Sequence, residues 1–462
     1  MNSALYRDRR QHLAQRLREA GGGLAIVPTA PERARNGDND HPFRYDSHFH
    51  YLSGFDEPQS WLVLRSDGHS ILFCRTHNAE NEIWDGRRLG PDAAPEQLGV
   101  DEAHPIERLD ELMPDLIGHQ NAVWTLFGGT GAAEQRLNGW LAMARARSRQ
   151  GVENAVHHRD LALLLDEMRL TKDPHELGTM RRAARISAGA HARAMRFCGE
   201  RFGAAPQGGV REYEIEAELL HEFRRHGAQS PAYPSIVAAG ANACVLHYAA
   251  GNTELRAGDL CLIDAGCELD GYASDISRTF PANGRFSGPQ RTLYDIVLAA
   301  QAAAIAVTRP GQRQRDAHHA AVRVLTQGMF DTGLLNANSH GTVDDAITST
   351  AYRQFYMHGT GHWLGLDVHD VGDYLSADEA AYEHPDGQGN LVVRKPSRVL
   401  QAGMVVTIEP GLYVRPAEGV PEAFWHIGIR IEDDAVITPT GCELISRDVP
   451  VDPLEIEALM RG

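Results

Sequence analysis

The sequence predicts an α/β chain folded as two domains, and three observations carry that expectation. Its 462 residues exceed what a single hydrophobic core organises. Strand-like apolar runs alternate with helical segments through roughly the first 160 residues. A strong helix start at Asp173-Pro174-His175-Glu176 then opens a second region, where long helices and short buried strands follow one another. The boundary is drawn with 1–170 as a smaller N-terminal α/β domain and 171–462 as the larger domain.

Taken in order, the first 23 residues have no apolar core of the kind a secretory signal needs, and Asp8 and Glu19 argue against a transit peptide. They read as an amphipathic helix. Leu24–Val27, Trp61–Leu64, Ser70–Cys74 and Ala122–Phe127 read as strands. The run VWTLFGGTGAAE looks like a dinucleotide-binding turn, but Glu134 stands where the third glycine belongs, so that reading is set aside. In the second domain, Asp173 is the N-cap, Pro174 the first helical residue and Glu176 the return partner of a helix reaching about Cys198. A second helix spans about Arg211–His226 and stops at Gly227. A third opens at Ser287-Gly288-Pro289 and ends before Pro310-Gly311. Its apolar stretch, Leu293–Val307, is interrupted by Asp295 and Gln301 and is too short for a bilayer, so it reads as a buried helix. No repeat with a solenoid period is visible, and the helix–strand pattern of the second half reads as occurring twice.

Composition excludes several function classes. Sixty-two acids against 45 bases give a net charge of −17, which disfavours nucleic acid and anionic membranes as partners. Lys172 and Lys395 are the only lysines, and no Gly-Lys pair exists, so there is no Walker A loop. No G-x-S-x-G supports serine chemistry. Cys74, Cys198, Cys244, Cys261, Cys267 and Cys442 include no C-x-x-C pair, and the expectation is reduced thiols in a cytoplasmic protein.

The chemistry-bearing residues cluster at strand ends. Leu260–Ile263 is a continuous apolar run closed by Asp264, and the chain returns through Tyr272–Phe280 with Asp275 inside it. A turn tip at Leu269-Asp270 would set Asp264 opposite Asp275. Two like charges there are destabilising unless a cation lies between them. A longer loop with both aspartates solvated is the alternative on spacing alone. The segment His358-Gly-Thr-Gly-His362 continues to His369, and its glycines argue for a loop rather than a zincin helix face. Glu409 closes the run Met404–Ile408, and Ile427–Glu432 alternates so that Arg430 and Glu432 share one face, a pattern that a structural Arg–Glu pair would also explain. Four carboxylates and one histidine form an oxygen-rich donor set that suits Mn²⁺ and similar ions, Zn²⁺ less exclusively, and four carboxylates balance two divalent charges.

In the contexts IDAGCELDGYASDISRTF, HGTGHWLGLDVHD, TIEPGLY and GIRIEDD, this ordered set closely resembles the Xaa-Pro aminopeptidases (aminopeptidase P), and is similar to their relatives the prolidases. RNGDNDHPFRYDSHFHYLSGFDEP and EIWDGRRLGP extend the resemblance through the first half. It implies a pita-bread catalytic domain behind a creatinase-like N-terminal domain, and two divalent ions, usually manganese, with zinc, cobalt or iron as alternatives. By that resemblance Asp275 and Glu432 bridge the ions, Asp264 binds one, and His362 and Glu409 bind the other. Glu409 is also the general base for a bridging hydroxide that attacks the bond before a penultimate proline. His247 and His369 stabilise the intermediate. His358, Tyr413 and Trp84 border the proline pocket, and Arg430 is tied to Tyr413 and Asp38. Asp38 and Trp84 act from a neighbouring subunit, which implies a homodimer or homotetramer.

The segment 372–398 carries Arg394, Lys395 and Arg398, and prolidases grip a dipeptide carboxylate with an arginine in about this region. A Xaa-Pro dipeptidase is therefore the second reading beside an aminopeptidase, and a surface loop is the plain alternative for the segment. Metal-free pita-bread enzymes such as creatinase, and non-catalytic binding modules, form a third class that lacks the full ligand set present here.

Overall fold

A computed structural model describes residues 3–128, 131–147, 157–207, 209–385 and 390–462. The chain divides into two compact units, Met1–Met168 and Arg169–Gly462.

The smaller unit is built on a mixed six-stranded sheet. Its spatial order is Glu102–Pro105, Ser70–Cys74, Trp61–Arg65, Leu24–Pro28, Ala122–Thr125, His157–Asp160. Leu24–Pro28 pairs antiparallel with Trp61–Arg65 and parallel with Ala122–Thr125, and its first four residues are buried. The helix Ser3–Glu19 turns Leu13, Ala14 and Leu17 inward, together with Arg9 and Arg10. Arg10 donates to the carbonyls of Leu52, Leu98 and Gly99, so part of the basic N-terminal character serves this unit's packing. Gly129 and Thr130 of the glycine run lie outside the described residues. Two exposed projections complete the unit: the short hairpin Ala34–Asn36/Asn39–Asp40 and the helix Ala79–Asp85.

In the larger unit a helix pair followed by antiparallel strands occurs twice, the two-halved arrangement of the pita-bread fold. Helices Pro174–Ala204 and Glu212–Arg225 precede a sheet in the order Ile236–Ala239, Leu260–Asp264, Ser277–Pro281. Helices Gly288–Val307 and Gln314–Asp331 precede the sheet Val405–Ile408, Asp433–Ile437, Cys442–Leu444 and the pair Gly411–Val414/Ile427–Arg430. Reciprocal capping boxes start the first and third of these helices, at Asp173/Glu176 and Ser287/Gln290. The first helix runs on to Ala204, past the expected end near Cys198, because its alanine-rich inner face stays buried to Phe202. The apolar stretch expected to be a buried helix is buried on one face only, through Leu293, Tyr294, Val297, Ala300, Gln301 and Ala304. Small alanines occupy its outer face.

The hairpin after Leu260–Asp264 corrects the expected register. Asp270 and Gly271 both have positive φ, 50° and 83°, and form the turn, one residue later than Leu269-Asp270. Asp-Gly suits a type I′ connection, which needs that conformation at both positions. Asp264 therefore faces Ser277, not Asp275. Asp275 lies in the break between Tyr272–Ala273 and Ser277–Pro281. There Gly266 lets the strands close up: a Cβ on it would sit 1.6 Å from the Ser274 carbonyl oxygen.

Candidate metal centre

A register shift of two keeps a side chain on its face. Asp275 is thus the diagonal neighbour of Asp264 on one side of the hairpin, and Tyr233 joins them. Its buried hydroxyl lies 2.6 Å from Asp264 Oδ1 and within hydrogen-bond reach of Asp275 Oδ1. One phenolic proton cannot satisfy two carboxylate oxygens, so this corner is short of positive charge.

The second half supplies the rest. Residues 360–364 run beside Val405–Ile408, with Thr407 N–H donating to the His362 carbonyl and Glu409 N–H to that of Thr360. A Cβ on Gly361 would lie 2.0 Å from the Thr407 carbonyl oxygen, so glycine is what admits this pairing. It brings His362 Nε2 to 3.4 Å from Asp275 and 3.8 Å from Glu409. Glu432 donates its backbone N–H to Ser277 O and accepts from Ser277 Oγ at 2.7 Å. Asp275, His362 and Glu432 each offer a ligand atom, and the three atoms lie within 4.8 Å of one another.

These groups line one cavity of about 710 Å³ together with Asp264, Glu409, Arg430, His247, His358 and His369. Burial pushes the Glu409 carboxyl up to about 7, with His362 and Arg430 opposing, and pushes Glu432 and Asp264 upward too. Burial resists ionisation of Asp275 as well, but the hydrogen bond with His362 holds it low. That pair lifts the imidazole, against its own burial, to about 9. Crowded, buried carboxylates with one guanidinium among them are the environment a divalent cation relieves. The residues fit such an ion.

Arg430 is not spent on Glu432. Its Nε donates to Ser277 Oγ, Nη1 to the Tyr413 hydroxyl at 2.8 Å and Nη2 to Asp264 at 2.6 Å. Tyr413 passes its own proton to His358 Nε2, whose Nδ1–H is held by the Gly359 carbonyl at 2.7 Å. Tyr413 is 1% exposed and sits behind His358. The His369 ring lies edge-on to His362, centroids 4.3 Å apart. His247 is exposed on a segment held by the buried Glu212, which accepts from Ala239 N–H, Asn242, Tyr248 and Gly251 N–H. Sequence reasoning passed over Tyr233 and Glu212. The only available signal was a tyrosine and an acid at positions where a soluble surface would do.

In the smaller unit Trp84 lies on Ala79–Asp85 and is 86% exposed, and Asp38 sits at the exposed hairpin tip, bonded by Asn39. The segment 372–398 is a surface projection. Tyr382–Pro385 pairs with Leu391–Arg394, while Arg313 anchors its base through Glu379 and the Ser397 carbonyl. Residues 386–389 lie outside the described residues. Among the described residues, none from 372–398 lines the cavity.

Fold and donor set together define a metallopeptidase. Residues 178–439 match metallopeptidase family M24 and residues 6–124 match the aminopeptidase P N-terminal domain, and the chain belongs to family M24. It is a hydrolase of a class that works with divalent metal ions. It is 44% identical to the Xaa-Pro aminopeptidase of Escherichia coli over 98% of this chain and 97% of that one. The solved structure of Pseudomonas aeruginosa aminopeptidase PepP superposes with a TM-score of 0.90 at 44% identity, covering 100% of this chain and 98% of its own. The human Xaa-Pro dipeptidase is more distant, 32% identical over 99% of this chain and 94% of its own.

Proposed function

We propose that this chain is an aminopeptidase that removes one N-terminal residue from peptides with proline in second place. The observation that carries this is the convergence of Asp264, Asp275, His362, Glu409 and Glu432 on one cavity, in a chain matching Xaa-Pro aminopeptidases along its whole length. Those five residues would hold two divalent ions, manganese being the metal the oxygen-rich set favours, with zinc, cobalt or iron able to replace it. Bound ions would lower the pKa of a water and polarise the scissile carbonyl.

The chain's own groups do the remainder. Glu409 takes the proton of the attacking water and hands it toward the departing proline nitrogen. His247 and His369, at the cavity wall, donate to the carbonyl oxygen as it gains charge. A Xaa-Pro bond has no N–H, and its ring fixes φ, so the acceptor side needs shape rather than a hydrogen-bond partner. His358 offers that surface. It is stiffened by the Tyr413 hydroxyl, which donates to its Nε2 and is itself held by Arg430. A structure of the E. coli aminopeptidase P carries the inhibitor Pro-Leu, which supports a proline site in this family. Trp84 and Asp38 complete the site from a second subunit of a homodimer or homotetramer. The exposure of Trp84 and Ile83 on their own unit supports this. Six unpaired cysteines agree with a cytoplasmic setting.

The test is hydrolysis of a Xaa-Pro-Xaa tripeptide against a Xaa-Pro dipeptide, with Mn²⁺ and then with chelator. Tripeptide cleavage abolished by chelator is expected. Cleavage of the dipeptide alone would make the chain a dipeptidase, and turnover of neither by folded, metal-loaded protein would end the proposal.

A further inference from the structure

One of the chain's two lysines is buried, and it lies beside the loop that carries two site histidines. The Lys172 side chain is 1% exposed and its Nζ lies 2.8 Å from Asp370 Oδ2, itself 1% exposed. The other oxygen of Asp370 receives Arg169 Nη2 at 2.6 Å, and the same guanidinium nitrogen reaches Asp367 at 2.7 Å. Two cations meet two carboxylates, three of the four side chains almost wholly out of water. Such a cluster contributes little net stability, because desolvation offsets attraction. What it supplies is a fixed geometry.

That geometry is transmitted to the histidines. Asp370 follows His369 directly, and its N–H donates to the carbonyl of Trp363, the residue after His362, at 2.9 Å. Gly365 N–H donates to the Asp367 carbonyl, and the Gly365 carbonyl accepts from Ala273 N–H, two residues before Asp275. Residues 362–364 are held beside Val405–Ile408, but 365–370 have no helix or strand of their own, so the shape of this later part depends on these contacts. Gly365 is where the cluster presses on it. A Cβ there would lie 2.1 Å from Asp370 Oδ2 and 2.9 Å from Lys172 Cε. On the other side, Lys172 is tied by its backbone N–H to the Gly403 carbonyl at 2.9 Å, just before the strand leading to Glu409.

We infer that Lys172 and Arg169, acting through Asp370, are positioning residues that aim the His369 imidazole at the reacting carbonyl. This rests on the aminopeptidase reading for the task of His369, and on the structure alone for the clamp.

The experiment compares Lys172→Met in the intact chain and in His369→Ala, on a Xaa-Pro-Xaa peptide with metal content measured. The intact chain should lose about tenfold or more in kcat, with KM changing less than about threefold and metal content unchanged. In the His369→Ala chain the same change should cost less than about twofold, since what it aims is already gone. Equal losses in both backgrounds would show a merely structural role and overturn the inference. Should Lys172→Met fail to fold, Asp367→Asn, at a side chain 38% exposed, removes one arm of the cluster. It should show a smaller kcat loss that also disappears with His369. Independently of turnover, the Cε1–H NMR signal of His369 in zinc-loaded protein, identified by its loss in His369→Ala, should move in these variants while that of His191, which is held by the Ala265 carbonyl outside the loop 362–370, stays. If the parent chain cleaves no Xaa-Pro peptide, the aminopeptidase reading fails and the ring signal decides. An unmoved His369 signal overturns the clamp.

Discussion

His191 sets up a measurable pH dependence of stability. It is fully buried in the first long helix, and its Nε2 lies 2.9 Å from the carbonyl of Ala265, the residue after Asp264. A carbonyl only accepts, so Nε2 carries the proton. Nδ1 is then a bare nitrogen with no partner among the described residues. Protonating the ring would place a second N–H where nothing receives it. Burial accordingly pushes the pKa from 6.5 down to about 4, against the favourable bond to Ala265. Above pH 6.5 both folded and unfolded chains hold the ring neutral and the site contributes no pH dependence. Below it the unfolded chain takes up a proton that the folded chain refuses, so stability falls until about pH 4 and then levels. At roughly 1.4 kcal/mol per tenfold change in proton affinity, the loss across that window is about 3 kcal/mol. His191→Gln keeps a donor for Ala265 and cannot be protonated. Urea melts of both chains in chelator, from pH 7.5 to 4, cancel the many other titrating groups in the difference. The gap between parent and variant should shrink or invert by about 3 kcal/mol as pH falls. Parallel pH profiles would refute the assignment.

Other outcomes follow from the site. Glu409→Gln should lower kcat by roughly 10²–10⁴ with a folded, metal-loaded chain, read by steady-state kinetics beside metal analysis. Mn²⁺ added to chelator-stripped protein should raise the melting temperature, with about 2.7 kcal/mol of stabilisation at a hundredfold excess over Kd, and Asp275→Asn should blunt the rise. Gly361→Ala, whose Cβ would meet the Thr407 carbonyl oxygen at 2.0 Å, should cost about 1–3 kcal/mol in a denaturant melt and most of the activity. Arg394→Ala, at the end of an exposed hairpin, should leave tripeptide kcat/KM within about twofold. A large loss would return weight to the dipeptidase reading.

How much of this was legible in the sequence depends on the range of the interaction concerned. Asp264 and Glu409 were readable because each follows an apolar run whose burial is dictated locally, and Glu432 because it closes the alternating run Ile427–Ile431. The capping boxes at Asp173 and Ser287 were readable because their partners lie three residues apart. The hairpin register was missed by one residue at its tip, since Asp270-Gly271 was passed over as the turn. The convergence of Asp264 and Asp275 survived because the resulting shift of two preserves the face. Tyr233, 31 residues from Asp264 and 42 from Asp275, left no local trace. Glu212 reads as an ordinary first-turn acid of its helix. Only the folded chain shows it holding the segment of His247.

The composition also makes sense once the polar interior is seen. All but two of the 45 basic residues are arginine, and three buried arginines hold three segments that carry cavity-lining residues. Arg430 joins Asp264 to Ser277 and Tyr413. Arg278, wholly buried with Asp433 at 2.8 Å, donates to the carbonyls of Ser277, Glu432, Val449 and Pro450. Arg169 grips the histidine loop through Asp367 and Asp370. A guanidinium can do this because its five donors lie in one plane and stay charged when buried, whereas an ammonium is a single strongly hydrated point. The cavity gathers several carboxylates in a low dielectric, where burial pushes Glu409, Glu432 and Asp264 toward their protonated forms. Spreading positive charge over backbone carbonyls and neighbouring acids, rather than pairing every cavity carboxylate, leaves negative potential at the cavity centre that the proposed cations would use. Lys172 does not break this pattern, because it meets Asp370, which does not line the cavity, and there a point charge suffices.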